Sequence, residues 1–210
     1  MNPESFYLTF KNISTTLDST IKAAVAVGGW HSYSVFFLII FLGCAFIFLA
    51  WLPSDMLIFL CGTIASTGRL NIWLVILVGS LAAFCGNQLK YFLARHNKRA
   101  AKKLKNSKTE SYFNRDQNEA VISGNLIPAV GNLIPMLAGY NKMNYHDFTK
   151  DNAKGGALLW LSLFALLGFA STAIPIVAHN MVISSLVISL AVGLLYRFAV
   201  KIITSAKNND

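Results

Sequence analysis

Residues 120–140 read AVISGNLIPAVGNLIPMLAGY, and this stretch decides the fold. It has the length and apolar content of a membrane-spanning helix, for which about 20 residues suffice. Asn125, Pro128, Gly131, Asn132, Pro135 and Gly139 interrupt it, however. Each proline removes a backbone donor and breaks a continuous helix. The spacing predicts a chain that dips and returns, a re-entrant hairpin over 119–141. Irregular backbone at membrane depth survives only where protein or a watery cavity satisfies its polar groups. Broken elements of this kind point to a transport site.

The rest of the chain supplies the membrane. Of 210 residues, 55% are hydrophobic and only 13% charged, against about 25% charged in a soluble domain. Disorder and a disulfide-stapled secreted fold are excluded, and an all-α integral membrane protein is predicted. Four blocks qualify as spans: 33–52, with no charge between Trp30 and Ser54; 70–91, with Lys90 near its end; 155–178, with Pro175; and 180–199, ending at Arg197 and followed by Lys201. The block 56–67 is too short to cross. Introduced by Pro53-Ser54-Asp55, it predicts a second re-entrant hairpin over 53–69. In residues 1–28, Phe6, Phe10, Ile13, Leu17, Ile21 and Val25 recur at helical spacing with Lys11, Asp18 and Lys22 elsewhere around the turn. That pattern predicts an amphipathic helix lying along the interface. No signal peptide is expected, because no basic segment precedes a short apolar core. The membrane domain then covers 30–203, and 204–210 form a tail.

Charge sets the expected orientation. Lys90, Arg95, Lys98, Arg99, Lys102, Lys103, Lys105, Lys108 and Arg115 cluster in one stretch, so the loop 95–118 should face the cytoplasm. With four spans and two opposed hairpins both termini are cytoplasmic, and Arg69 alone of the 18 basic residues lies outside. The excess of 18 basic over 9 acidic residues thus encodes orientation. A nucleic-acid surface would interleave aromatics among these charges, and none is expected. Cys44, Cys61 and Cys85 sit in apolar blocks without CxxC spacing, predicting buried, inert thiols. His31, His96, His146 and His179 lack metal-ligand spacing, so neither a metal nor another cofactor is expected.

The run Gly124–Gly139, continued through Met143, Phe148, Asn152, Gly155 and Trp160, resembles the signature of the DedA family, also called the SNARE-associated Golgi or VTT-domain family. The first half is similar too, at Pro53-Ser54-Asp55, Gly62, Gly86-Asn87 and Tyr91. Members usually carry an arginine three residues before the first proline of the second hairpin and another three after it. Here these positions are Asn125 and Gly131, and an acidic residue common after the glycine of the second span is Asn87. The acidic residue of the first hairpin is retained as Asp55. The resemblance implies a plasma-membrane flippase or scramblase. Its cargo would be a phosphate-bearing lipid, either a polyprenyl phosphate such as undecaprenyl phosphate or a phospholipid such as phosphatidylethanolamine, and it is linked to the proton-motive force and envelope integrity.

Among the residues themselves, Asp55 is the one acidic side chain within an apolar block. A carboxyl at membrane depth is costly and marks a proton or substrate path. Equally, Ser54 or Asp55 can cap the helix that Pro53 begins, and the two roles are compatible. In the second hairpin, Pro128 and Pro135 suit first turns of short helices, whose N-termini favour phosphate, with Asn125 and Asn132 as neutral donors near Gly131. The alternative is that these asparagines only satisfy broken backbone. Lys90 either snorkels to the cytoplasmic face or neutralises Asp55 or a lipid phosphate. Lys142 and Lys154 border the second hairpin and attract anionic headgroups or simply mark the inside. Small residues (Gly79, Ala83, Gly155, Gly156, Gly168) permit close helix packing, within a subunit or in a homo-oligomer.

Three classes of function remain. A lipid transporter would use a polar site between the hairpins, with protons coupled through Asp55. A non-transporting scaffold or assembly factor is favoured by the missing arginines. An intramembrane hydrolase has only Ser123-Gly124 in its favour, part of a rhomboid-type serine motif without its preceding glycine, and no enzyme is expected.

Overall fold

The computed structural model describes residues 29–46, 54–96, 108–127 and 131–173, together with Val187 and Ala191, both helical. The interfacial helix expected at 1–28, most of the span at 180–199, the tail at 204–210, Pro53, Pro128 and the middle of the basic loop lie outside the described residues. Within them every regular element is helical: α1 Gly29–Ala45, α2 Ser54–Ser66, α3 Ile72–His96, α4 Lys108–Arg115, α5 Gln117–Ser123, α6 Ile134–Tyr140, α7 Tyr145–Asp151 and α8 Trp160–Ser171. A π-helical stretch, Asn152–Leu159, joins α7 to α8 without a break.

Among the described residues, two helices are long and apolar enough to cross a membrane, α3 and the continuous run Tyr145–Ser171. The 25 residues of α3 extend about 37 Å at 1.5 Å per residue. Its start is fixed by Asn71, whose Oδ1 accepts from the Trp73 N–H at 2.9 Å. The preceding turn uses Gly68 at φ +78, a left-handed conformation that costs glycine little. Outward faces are apolar: Leu77, Leu81 and Leu93 on α3, and Leu158, Leu166 and Phe169 on the second long helix, are all exposed. A soluble protein rarely shows apolar surface on this scale, whereas lipid is its natural solvent.

The first apolar block does not follow the expected course. A span was predicted over 33–52, but α1 ends at Ala45 after 17 residues, and α1 runs parallel to α3. Near its start, Tyr33 Oη accepts from the Asn71 N–H at 2.8 Å. Further along, Phe36 lies against Gly79, and Cys44 and Ala45 lie against Gly86. By Ser54 the chain has come back beside Gly43, and α2 then returns uninterrupted to the turn before α3. The first fold-back therefore comprises α1 and α2, which run in opposite senses along α3, rather than a hairpin confined to 53–69. The aromatic pair Trp30 and Trp73, both largely exposed, marks the common end of α1 and α3, as interfacial tryptophans do. Composition hid this, because a helix that crosses and one that turns back halfway are equally apolar.

The second broken stretch does fold back. α5 leads into a short 3₁₀ turn, Gly124–Leu126, and a second, Gly131–Leu133, precedes α6. A Cβ on Gly131 would strike Asn125 and the Gly124 carbonyl, so the two arms touch at this end. Ala120 and Val121 of one arm share a core with Ile134, Leu137 and Ala138 of the other. α6 runs parallel to α3, with Asn132 beside Lys90 and Gly139 against the Tyr91 carbonyl. Cys44 and Ala45 at the end of α1 thus reach α3 at Gly86, and Asn132 ahead of α6 reaches it at Lys90, so the two fold-backs approach α3 from opposite ends.

Contact between helices depends on absent side chains. α2 crosses α8 where a Cβ on Gly62 would fall on the Ala165 carbonyl and one on Gly168 on the Phe59 carbonyl. Backbone approach of this kind is what small residues allow in membrane bundles.

Candidate functional site

Where the two fold-backs share a core at Cys44, Leu57 and Leu126, polar side chains gather inside an otherwise apolar interior. Asp55 lies in the first turn of α2, where a carboxylate is favoured by the helix dipole, and is half-buried. Its Oδ1 accepts from the Trp160 indole N–H at 2.8 Å. Trp160 is buried and opens α8 directly after the π stretch. First-turn position and polar engagement coincide in one residue.

From the other side comes Lys90, 3% exposed. Its Nζ donates to the Asn132 carbonyl at 3.2 Å and to Asn132 Oδ1 at 3.0 Å. The expected snorkelling to the cytoplasmic face does not occur. α3 continues to His96, and Lys90 turns inward on the face that carries Gly79, Ala83 and Gly86, all buried. Cys44, at the end of α1, lies within electrostatic reach of both Lys90 and Asp55. Leu126 of the second tip shares one core with Cys44, Leu57 and Trp160. Acid and base thus both lie near Cys44, Asp55 on the first fold-back and Lys90 on α3, where it binds Asn132 of the second.

Around them a ladder of amides fastens α3 to the second long helix. Asn87 Nδ2 donates to Asn152 Oδ1 at 2.8 Å, Asn152 Nδ2 donates to the Phe84 carbonyl at 3.3 Å, and Gln88 Nε2 donates to Thr149 Oγ1 at 2.9 Å. Gln88 Oε1 is buried without a partner. Lower down, Tyr91 donates to the Met143 carbonyl at 2.6 Å, accepts from Arg95 and stacks on Phe148 at 4.5 Å between ring centroids.

Of the other predicted residues, Ser54 is buried beside Gly43. Asn125 and Gly131 pack on each other at the second tip, and Pro135 sits in the first turn of α6. Lys142 and Lys154 are exposed on the flank and are not part of the cluster. Ser123 is engaged by the Tyr112 hydroxyl at 2.8 Å and donates to the Glu119 carbonyl at 2.6 Å. Cys44 and Cys61 are buried, but Cys85 is exposed on α3, correcting the expectation of three buried thiols. Among the described residues no group of three or more His, Cys, Asp or Glu is placed to hold a metal. Sequence reasoning missed Trp160 as the partner of Asp55 and Asn152 as the partner of Asn87, although both lie in the motif. Their spacing, eight residues apart on one helix, was the available signal.

Apolar outer faces, two long helices and two fold-backs meeting over buried polar groups define a helical membrane protein built around an internal polar site. The VTT domain matches over residues 52–170, more than half the chain, and the protein belongs to the DedA (VTT-domain) family. It is 28% identical over 193 residues to Protein DedA of Escherichia coli (strain K12), covering 85% of this chain and 88% of that one. Inner membrane protein YqjA of the same strain is 28% identical over 153 residues, 69% of each chain. Inner membrane protein YghB, also from that strain, is 27% identical over 157 residues, 70% of this chain and 71% of its own. No solved structure matches.

Proposed function

We propose that the protein is a flippase or scramblase of the cytoplasmic membrane that moves a phosphate-bearing lipid, with Asp55 as the proton-linked group. The observation that carries this reading is a half-buried carboxylate, Asp55, and a buried ammonium, Lys90, each within electrostatic reach of Cys44 in an otherwise apolar core. A lipid headgroup crossing a bilayer needs polar partners at the depth where lipid offers none, and its tails can stay in the surrounding hydrocarbon. Scaffolding alone gives no reason to keep two opposite charges at that depth, where each costs several kcal/mol.

The same reading revises topology. With the basic loop after α3 inside, α1–α2 dips from the outer face and α5–α6 from the inner one. Residues 1–28 then lie on the Arg69 side. This places 15 of the 18 basic residues inside, leaving Lys11, Lys22 and Arg69 outside. In residues 1–28 the two lysines are balanced by Glu4 and Asp18, so charge does not oppose the assignment. On this reading an outer N-terminal segment and, after the apolar block 180–199, an inner C-terminus stand as the alternative to two cytoplasmic termini.

The test is a headgroup-resolved flipping assay in reconstituted vesicles, with and without a pH gradient. Wild-type protein should accelerate lipid movement over empty vesicles, and Asp55→Asn should remove its dependence on the gradient while folding is kept. Lipid movement no faster than in empty vesicles, for every phosphate-bearing headgroup, would leave the scaffold reading in its place.

A further inference from the structure

Lys90 is a buried cation for which no carboxylate lies within ion-pair distance among the described residues. An ammonium has three donors, and Asn132 takes two of them with neutral oxygens. Neutral acceptors hold the side chain in place but leave its charge uncompensated. Burying such a charge costs several kcal/mol unless a counter-ion arrives. The lysine stands on α3, a continuous helix, and reaches into the very tip where Asn125 and Gly131 occupy the positions of the two arginines usual in the family. The positive charge missing from the hairpin is therefore supplied from outside it.

The kind of cation matters. A guanidinium offers a planar fork that grips two phosphate oxygens, whereas an ammonium is a compact point charge. One lysine balances one negative charge. A phosphomonoester carries roughly −1.5 to −2 at neutral pH, while a phosphodiester carries a single charge. Asp55, within reach of the same Cys44 as Lys90, adds negative potential that a dianion would meet unfavourably.

We propose that Lys90 is the headgroup-binding cation of this chain, and that its single ammonium at the second tip selects a lipid phosphodiester over a phosphomonoester. The inference rests on the lipid-transport reading and narrows its substrate class. The chemistry recognised is a monoanionic phosphate diester, whether in a lipid or in a free headgroup.

The experiment uses the full chain in vesicles of digalactosyldiacylglycerol, which carries no phosphate, doped with fluorescent phosphatidylglycerol or phosphatidic acid of the same acyl chains, at mildly alkaline pH. Phosphatidylglycerol should move about tenfold faster than phosphatidic acid, and Lys90→Met should slow it by roughly tenfold to a hundredfold, the worth of one charged hydrogen bond. Adding Asn125→Arg to Lys90→Met should restore movement and shift preference toward phosphatidic acid. Where Lys90→Met does not fold, Lys90→Arg keeps the charge and should show the same shift in preference. Equal rates for the two lipids, faster phosphatidic acid, or a wild-type rate in Lys90→Met overturns the inference while leaving transport intact. Soluble glycerophosphoglycerol, tested by thermal shift in detergent, separates the two sources. A Lys90-dependent shift without movement of either lipid would uphold the diester site and sink the transport reading.

Discussion

The buried Asn87–Asn152 pair allows a quantitative check. Both side chains are essentially excluded from solvent, at 2% and 1% exposure, and their 2.8 Å bond ties the centre of α3 to the π stretch. Asn87→Leu removes the donor to Asn152 Oδ1, while Asn152 Nδ2 keeps the Phe84 carbonyl. Asn152→Leu orphans Asn87 Nδ2. Each single change leaves one buried polar atom without a partner, at about 1–3 kcal/mol. The double change removes both groups together, so its cost should fall short of the sum of the singles. Helix–helix hydrogen bonds in membrane bundles couple by about 0.6 kcal/mol on average, with a maximum near 1.7 kcal/mol. Being short and fully buried, this one should lie in the upper half of that range. Equilibrium unfolding of the four proteins in mixed detergent–SDS micelles gives the cycle directly. Additivity within about 0.3 kcal/mol, the behaviour of independent sites, would refute the claim that these amides act as a pair.

Trp160→Phe keeps the ring packing but removes the N–H that binds Asp55, so vesicle flipping should fall several-fold with little change in unfolding midpoint. Gly168→Val drives a side chain into the Phe59 carbonyl and should destabilise the fold by about 1–3 kcal/mol, read from the same micelle titration. Ser123→Ala should leave lipid movement intact, since its hydroxyl serves Tyr112 and Glu119; loss of activity there would revive a hydrolase. In a background without native cysteines, a cysteine replacing Ser5 should react with an impermeant maleimide on intact cells, whereas one replacing Thr204 should react only after lysis. Protection of the first until lysis would restore two cytoplasmic termini.

The motif-bearing half of the molecule was legible in the sequence because its signals are local. Proline, glycine and asparagine between Asn125 and Gly139 each act on their own backbone, and the chain folds back where they fall. The course of α1 was not legible, because hydropathy measures depth and not direction. Residues 33–52 are as apolar as any span, and the end of α1 at Ala45 is seen only in its close packing against Gly86. Lys90 was misjudged for a different reason. Its nearness to the end of the block 70–91 suggested an exit to water, yet it lies four residues after Gly86 and eleven after Gly79. Those intervals put it on the small-residue face that turns inward. Asp55 was identified from its isolation, but Trp160, 105 positions away along the chain, could be joined to it only by the tertiary fold.

A fold-back followed by a long helix occurs twice, as α1–α2 before α3 and as α5–α6 before α7–α8, and the two units insert in opposite senses. Such an arrangement has the pattern of an inverted repeat. A scaffold repeated in this way gives, on the transport reading, no architectural preference for one direction of travel. Any vectorial transport must arise from what the halves do not share: an acid on one arm, a base facing the other, and the ion gradient that distinguishes the two compartments.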